Sequence, residues 1–419
     1  MPLPVRSLTV LQNWDCHVCG DCCHEYRVQV TDEEKARIEA QNWGDDPAMA
    51  GTQVFKWDGG WFSGRYRLNQ RADGGCVFLN EKGLCRIHAK FGLEAKPLAC
   101  RVFPFVLIPS GDHWNVGYRF ACPSVANDLG KPFASFVPDI REYGRELEDR
   151  EGIKGRALSV PQLERAKTVP WSDIDLFTRC LHDIVADEKR PLELRLRHIV
   201  ALVDLCRQAK FDTVTGKRLK EFLSVVADGV AAEVPHRPEA MAEPSWIGRV
   251  LFRQTVAIYA RKDIGPRRGI SRHGRAALLW AAWKFALGSG KVPRVHGLMP
   301  ETTFEKLEQS TGPLSDAATA MLTRYYRIKL ESGQFFGPTN FSRMYWDGLE
   351  SLLLTFPAIR WLARAFHDRT ADEALTLGLR IVDDSFGFNS LLGSRRQLLG
   401  ARLIARRGDL ARLIAWYAR

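Results

Sequence analysis

The sequence predicts an α+β, mostly helical protein: a small cysteine-rich α+β domain over residues 1–130, followed by an all-α helical domain over 131–419. Three observations predict it. Eight of the ten cysteines (Cys16, Cys19, Cys22, Cys23, Cys76, Cys85, Cys100 and Cys122) lie in the first part. That part carries 14 Lys+Arg against 15 Asp+Glu, whereas the remainder carries 46 against 34, so the net charge of +11 belongs wholly to the second part. Beyond residue 130 apolar residues recur at three- and four-residue steps, the period of a helix face, and strand signals are nearly absent. The composition shift places the boundary between Asn127 and Pro138.

The remaining composition excludes several classes. With 45% hydrophobic and 26% charged residues the chain is ordinary globular material, not a disordered, collagenous or coiled-coil chain. No stretch approaches the ~18 apolar residues a membrane helix needs. The best candidate, Ala276 to Leu287, is short and carries Lys284. The first residues, Met1 to Arg6, lack the basic head and apolar run of a secretory signal. A cytoplasmic location is therefore expected, where thiols stay reduced and clustered cysteines serve metal or redox chemistry more often than disulfides.

Element by element, Arg27 to Val30 alternates like a strand. Thr31 with Glu34 three residues on forms a capping box that starts a helix running to about Gln41. Arg65 to Leu68 and Cys76 to Leu79 read as short strands flanked by glycine. Arg86 to Phe91 and Pro97 to Arg101 read as helical turns, and Phe105 to Ile108 with Trp114 to Phe120 as a hairpin around Pro109-Ser110-Gly111-Asp112. In the second part, Ile174, Phe177, Cys180, Leu181, Ile184 and Val185 share one helix face. The next helix starts at Pro191, whose missing N–H costs nothing in a first turn. Further helices are expected over 215–232, 245–262, 271–287, 314–332, 341–366, 371–383 and 395–418. Cys180, Cys206, Trp280, Trp283, Trp346 and Trp361 sit at helical spacing and read as core.

Cys16-x2-Cys19-x2-Cys22-Cys23 is the strongest chemical signal. A C-x2-C turn brings two thiolates to one ion with little strain, and soft thiolates favour zinc or iron. Three cysteines at this spacing also match the opening of a ferredoxin run, for which Cys122-Pro123 would be the distant Cys-Pro ligand; this favours a [4Fe–4S] cluster over zinc. Adjacent Cys22 and Cys23 do not both reach one ion in good geometry, which leaves one of them for a second site, a bridge or a free thiol. His17, His24 and His88 stand beside these motifs and read as neighbours of a site rather than ligands.

Together with Cys76-Val77-Phe78-Leu79, Cys85-Arg86-Ile87 and Pro97-Leu98-Ala99-Cys100-Arg101-Val102-Phe103-Pro104, these motifs make residues 14–124 resemble the CxxCxxCC (YkgJ-type) zinc- or iron-chelating cysteine-cluster family. Lys96 stands where that family often has Arg. The resemblance implies a site built from the eight clustered cysteines. The order of a cysteine cluster ahead of a long helical region is also similar to that of flagellin lysine-N-methylases. That likeness implies SAM as cofactor and a protein substrate such as flagellin, and its only echo in the helical part is Tyr325-Tyr326-Arg327, Phe335-Phe336 and Gly348-Leu349. The sequence has no Gly-rich loop after a strand of the kind conventional SAM enzymes use, and no residue is assigned a catalytic role.

Two basic stretches remain. Residues 261–275 gather six Lys and Arg with one acid, Asp263, and could contact an anionic partner; the basic helical part beside a thiolate-rich one fits either such an acidic partner or an intramolecular electrostatic match, and nucleic acid is not expected, because aromatic residues are not interleaved. Residues 395–419 carry seven Arg and one acid, Asp409. They read as a terminal helix docked on the bundle by Leu399, Leu403, Leu410, Leu413, Ile414 and Tyr417, in preference to a membrane-surface helix. Three functions follow: a metal- or cluster-binding protein with a structural or redox role, a protein lysine N-methylase, and a non-catalytic adaptor with a basic helical surface.

Overall fold

The structure is a computed structural model that describes residues 3–59, 64–151, 161–209, 211 and 213–419. Met1 and Pro2 of the segment weighed above as a signal lie outside the described residues. A small α+β region leads into a helical one. The first holds β1 (Asn13–Trp14), α1 (Asp21–Glu25), α2 (Asp32–Glu39), β2 (Phe55–Asp58), β3 (Arg65–Leu68), α3 (Arg86–Phe91), α4 (Leu98–Val102), β4 (Phe105–Ser110), β5 (His113–Tyr118), α5 (Pro123–Ala126) and β6 (Lys131–Pro132). Then come α6 (Val137–Glu151), β7 (Gln162–Glu164), β8 (Lys167–Thr168), α7 (Trp171–Ala186), α8 (Leu192–Gln208), α9 (Gly216–Glu233), α10 (Trp246–Ala260), α11 (Gly274–Leu287) and α12 (Phe304–Leu307). The chain ends with α13 (Asp316–Ser332), α14 (Tyr345–Leu353), α15 (Thr355–Ala363), α16 (Ala371–Ser385), α17 (Arg395–Arg406) and α18 (Asp409–Ala418). The described strands pair only in antiparallel twos, β1 with β6, β2 with β3, β4 with β5 and β7 with β8.

The capping box forms as its spacing requires. Thr31 Oγ1 accepts from Glu34 N at 3.2 Å, and Thr31 N donates to Glu34 Oε2 at 3.0 Å. Glu34 is buried and also accepts from Leu98 N at 2.7 Å and from Arg150 Nη2 at 2.8 Å, so the start of α2 also holds the start of α4, the helix that carries Cys100. Thr31→Ala is expected to lower the unfolding free energy by about 1 kcal/mol. Urea denaturation of the full chain checks this, and an unchanged midpoint would remove the cap from the account.

Four expected elements need correction. Cys76 to Leu79 is a turn, because Leu79 N bonds Cys76 O at 2.9 Å and its β pairing is limited to the isolated bridges Gln70↔Cys76 and Leu79↔Cys85. Arg27 to Val30 likewise contributes one bridge, Gln29↔Arg67. The helix expected over 341–366 is split at Leu354: Pro357 has no N–H to give to Leu353 O, so the intrahelical ladder breaks there. The terminal helix breaks at Gly408, whose φ of 71° suits glycine. Its second half docks as expected through buried Leu410, Leu413, Ile414 and Tyr417, whereas Leu399 and Leu403 on α17 face outward.

The largest group of buried apolar residues runs from Val10 and the β4–β5 hairpin (Trp114, Val116, Tyr118, Phe120) through the helices to Tyr417. A smaller group, with Val30, Ile38, Trp43, Phe78 and Ile87, lies under α2, α3 and the β2–β3 pair. The hairpin packs on α13, and a buried ion pair completes the joint. Lys329 Nζ lies 2.6 Å from Asp383 Oδ1 with both side chains fully buried. Lys329 also donates to Tyr118 O at 2.9 Å, and Asp383 Oδ2 accepts from Ala121 N at 3.0 Å. Of the residues read as core, Trp346, Trp361 and Cys206 are buried and Cys180 is half-buried, but Trp280 and Trp283 are exposed because α11 is apolar on every side and packs through only one.

Candidate metal centre

The Cys16 to Cys23 loop turns into a helix at Gly20, whose φ of 71° is one that glycine adopts without strain. Cys16 and Cys19 stand exposed before this turn, and Cys22 and Cys23 lie half-buried in the single-turn helix α1 behind it. Their two sulfurs are 4.0 Å apart. The other cysteines reach α1 from three directions. Cys76 N donates to Cys23 O at 2.9 Å, which lays the Cys76 turn along α1. Cys85 stands at the N-cap of α3 and bridges to Leu79 at the end of that turn. Cys100 sits within α4, and Cys122 is the N-cap of α5 with Pro123 after it.

Burial and like charge mark which thiols are neighbours. The Cys100 thiol is pushed well up by burial, opposed by Lys96 and reinforced by Cys76, Cys85 and Cys22. Burial pushes Cys76 up to about 11, with Cys85 and Cys22 adding to it. Cys22 is raised by its contact with Cys23 and then by burial. Cys19 is raised mainly by burial, with Asp21 and Cys22 adding to it, and Cys122 is raised by burial, with a contribution from Cys19. The structure thus gathers Cys22, Cys23, Cys76, Cys85 and Cys100 into one neighbourhood and sets Cys19 and Cys122 beside it, while Cys16 lines the same cavity at its exposed edge. Among the described residues no three His, Cys, Asp or Glu side chains already converge to hold a metal ion. The donor set fits a soft ion in kind, with five thiols from four chain segments in one partly buried place. Cys180 and Cys206 are different. Burial in the helical part pushes them up to about 11 and about 12, which keeps them as neutral thiols.

The thiols open onto a cavity of about 290 Å³. Cys16, Cys19, Cys22, Cys100 and Cys122 line it, and Arg267, His296, Leu298, Arg380, Ile381 and Asp384 form the part of its wall that the helical region supplies. Aromatic side chains, among them Trp14, Tyr26, Phe103 and Tyr143, also line it. Ion pairs fasten α1 to that wall. Asp21 pairs with Arg267 at 2.8 Å and with Arg380, and Glu25 pairs with Lys262 at 3.0 Å and Arg267 at 3.1 Å. Lys262 also reaches Asp384 Oδ2 at 2.6 Å, and Asp384 Oδ1 accepts from Tyr26 at 2.8 Å and Arg119 at 3.0 Å. Burial alone would raise the Asp384 carboxyl, yet the Lys262 and Arg119 charges hold it below its ordinary value. His296 is pushed down to about 4 by burial and by Lys262, so it faces the cavity as a neutral ring. His88 also lines the cavity, and burial lowers its pKa. His17 spends Nδ1 on Asp15 O and Ser124 Oγ.

Much of this wall is silent in the sequence. Tyr26, Arg119, Arg380 and Asp384 belong to no motif, and their partners lie up to hundreds of residues away. Lys262 and Arg267 did carry a signal, the basic stretch over 261–275, but the structure turns these two inward while Arg268, Arg272 and Arg275 stay exposed. These two charges are matched within the chain by Asp21 and Glu25.

Comparison with known proteins adds to this geometry. The chain is similar to an uncharacterized protein of Methanocaldococcus jannaschii, 31% identical over 94 residues, which cover 22% of this chain and 29% of that one. The chain therefore spans less than a third of that curated relative's length. No solved structure matches it. Residues 15–123, the segment that supplies all eight clustered cysteines, match the CxxCxxCC family, described as a "putative zinc- or iron-chelating domain".

Proposed function

We propose that the thiols around α1 hold an iron–sulfur cluster, with zinc as the competing occupant, and that this centre has a redox role in preference to a purely structural one. The observation that carries the reading is the cavity. Cys16, Cys19, Cys22, Cys100 and Cys122 line it while Cys23, Cys76 and Cys85 stand behind Cys22 and Cys100, which offers more thiols than the four that close a structural zinc site. The ligand set proposed is Cys16, Cys19, Cys22, Cys23, Cys76, Cys85, Cys100 and Cys122, more than one four-ligand ion requires. Such a centre supplies electron transfer when bound. The chain's own contribution is to seat α1 through Asp21 and Glu25 and to hold aromatic and apolar side chains against the space.

Anaerobic purification of the full chain, followed by metal analysis and an optical spectrum, tests this. The expected result is a brown protein with iron and acid-labile sulfide. A colourless protein with stoichiometric zinc would overturn the iron–sulfur assignment.

A second reading, protein lysine N-methylation with SAM, is favoured by one feature of the same cavity. Aromatic rings of Trp14, Tyr26, Phe103 and Tyr143 line a space in which a lysine ammonium would find cation–π partners, while the carboxylates of Asp21, Glu25 and Asp384 in the same lining are already paired with Arg267, Arg380, Lys262 and Arg119. Mass shifts on lysines of a candidate protein after addition of SAM would support it.

A further inference from the structure

The outward face built from α10, α11 and α17 is independent of the cysteine centre. Helix α11 is apolar on every side, a composition that belongs in a core. It nevertheless packs through one side only, and Leu279, Trp280, Trp283 and Leu287 are 72%, 47%, 57% and 50% exposed. These four fall at three- and four-residue steps, so they form one stripe. Helix α10 joins this stripe to α17. Gln254 of α10 donates to Ala282 O of α11 at 2.6 Å, and Thr255 of α10 donates to Gln397 of α17 at 3.3 Å. Between them, α10 exposes Trp246 and Ile247, and α17 adds exposed Leu399 and Leu403. Single exposed apolar side chains need no explanation, but a run of large ones across three neighbouring helices marks a contact surface.

Charge identifies the contact. Helices α10, α11 and α17 contain no Asp or Glu. They carry Arg249, Arg253, Arg275, Lys284 and four arginines on α17. Several of these are spent within the chain. Arg253 donates to Phe285 O and Arg402 pairs with Asp347. Arg275, Arg395, Arg396 and Arg406 are exposed and make no ion pair among the described residues. A second copy of this chain would bring two acid-free basic faces together and be repelled. An anionic surface with an apolar interior meets both demands: it accepts the tryptophan and leucine side chains at the headgroup boundary and the arginines among the headgroups. No helix among the described residues is long and apolar enough to cross a membrane, so contact would be from the side.

We infer that the α10–α11–α17 face docks on anionic phospholipid bilayers, with Leu279, Trp280, Trp283, Leu399 and Leu403 entering the interface and Arg275, Arg395, Arg396 and Arg406 contacting headgroups. Co-sedimentation of the full chain with vesicles tests it. The chain is expected to pellet with vesicles containing phosphatidylglycerol and not with pure phosphatidylcholine, and to be released as salt is raised. Leu279→Ser with Trp283→Ser should abolish pelleting. Arg395→Ala with Arg396→Ala, at exposed positions where folding is not at stake, should weaken it by about fivefold for each arginine removed. Failure of the unmodified chain to pellet with anionic vesicles at low salt would overturn the inference, as would equal pelleting of all variants. A concentration-dependent oligomer that the serine variants abolish, without any vesicle binding, would overturn it in favour of a second copy or another protein.

Discussion

Cys100→Ser is expected to strip the protein of most of its bound metal. Cys100 lies in α4, held at its start by the Glu34 carboxylate, and its thiol is raised by burial and by Cys76, Cys85 and Cys22 around it. A thiol in that setting ionises only when a cation replaces its proton, and a serine hydroxyl cannot ionise there at all. The loss of affinity should exceed the roughly tenfold to hundredfold that follows removal of a group that merely orients a ligand. Metal stoichiometry per chain is the measurement, with Cys206→Ser as the matched control, since Cys206 is buried in α8 beside Cys180 and away from the clustered thiols. Cys100→Ser with undiminished metal would remove Cys100 from the centre, and metal loss in both variants would point to general unfolding instead.

Asp383→Ala is expected to be the most damaging single change to stability, at about 3–5 kcal/mol. It leaves the Lys329 ammonium with no exposure and no counter-charge at 2.6 Å, and it also removes the acceptor for Ala121 N, next to the Cys122 cap of α5. Burial already disfavours the charged form of Lys329, and the Asp383 carboxylate opposes this. The double variant Lys329→Met, Asp383→Leu should recover most of the loss, because a buried pair replaced by apolar groups of similar size is often nearly neutral. Urea denaturation of the single and double variants decides it. A single variant within 1 kcal/mol of the unmodified chain would show that the joint between the hairpin and α13–α16 does not rest on this pair.

The separation between what was legible and what was not follows the range of the forces. The start of α2, the β4–β5 hairpin and most helices were readable because caps, turns and the 3.6-residue period act within a few positions. The same holds for the cysteine motif, whose C-x2-C spacing is itself local geometry. The split between α14 and α15 was readable in principle from Pro357, and the apolar period across it masked the signal.

Taken alone, the sequence determined the class of the protein: a thiol-rich α+β segment ahead of a basic helical one, with donors suited to zinc or iron. Only the tertiary structure decided which groups face each other. It paired Asp21 with Arg267 and Arg380, turned Lys262 inward, opened a cavity between the thiols and α16, and left Trp280 and Trp283 in solvent. A carboxylate is met equally well by any of 60 Lys and Arg side chains, and a helix apolar all round does not specify which side is covered. Packing resolves both, because it acts between residues that chain distance does not relate.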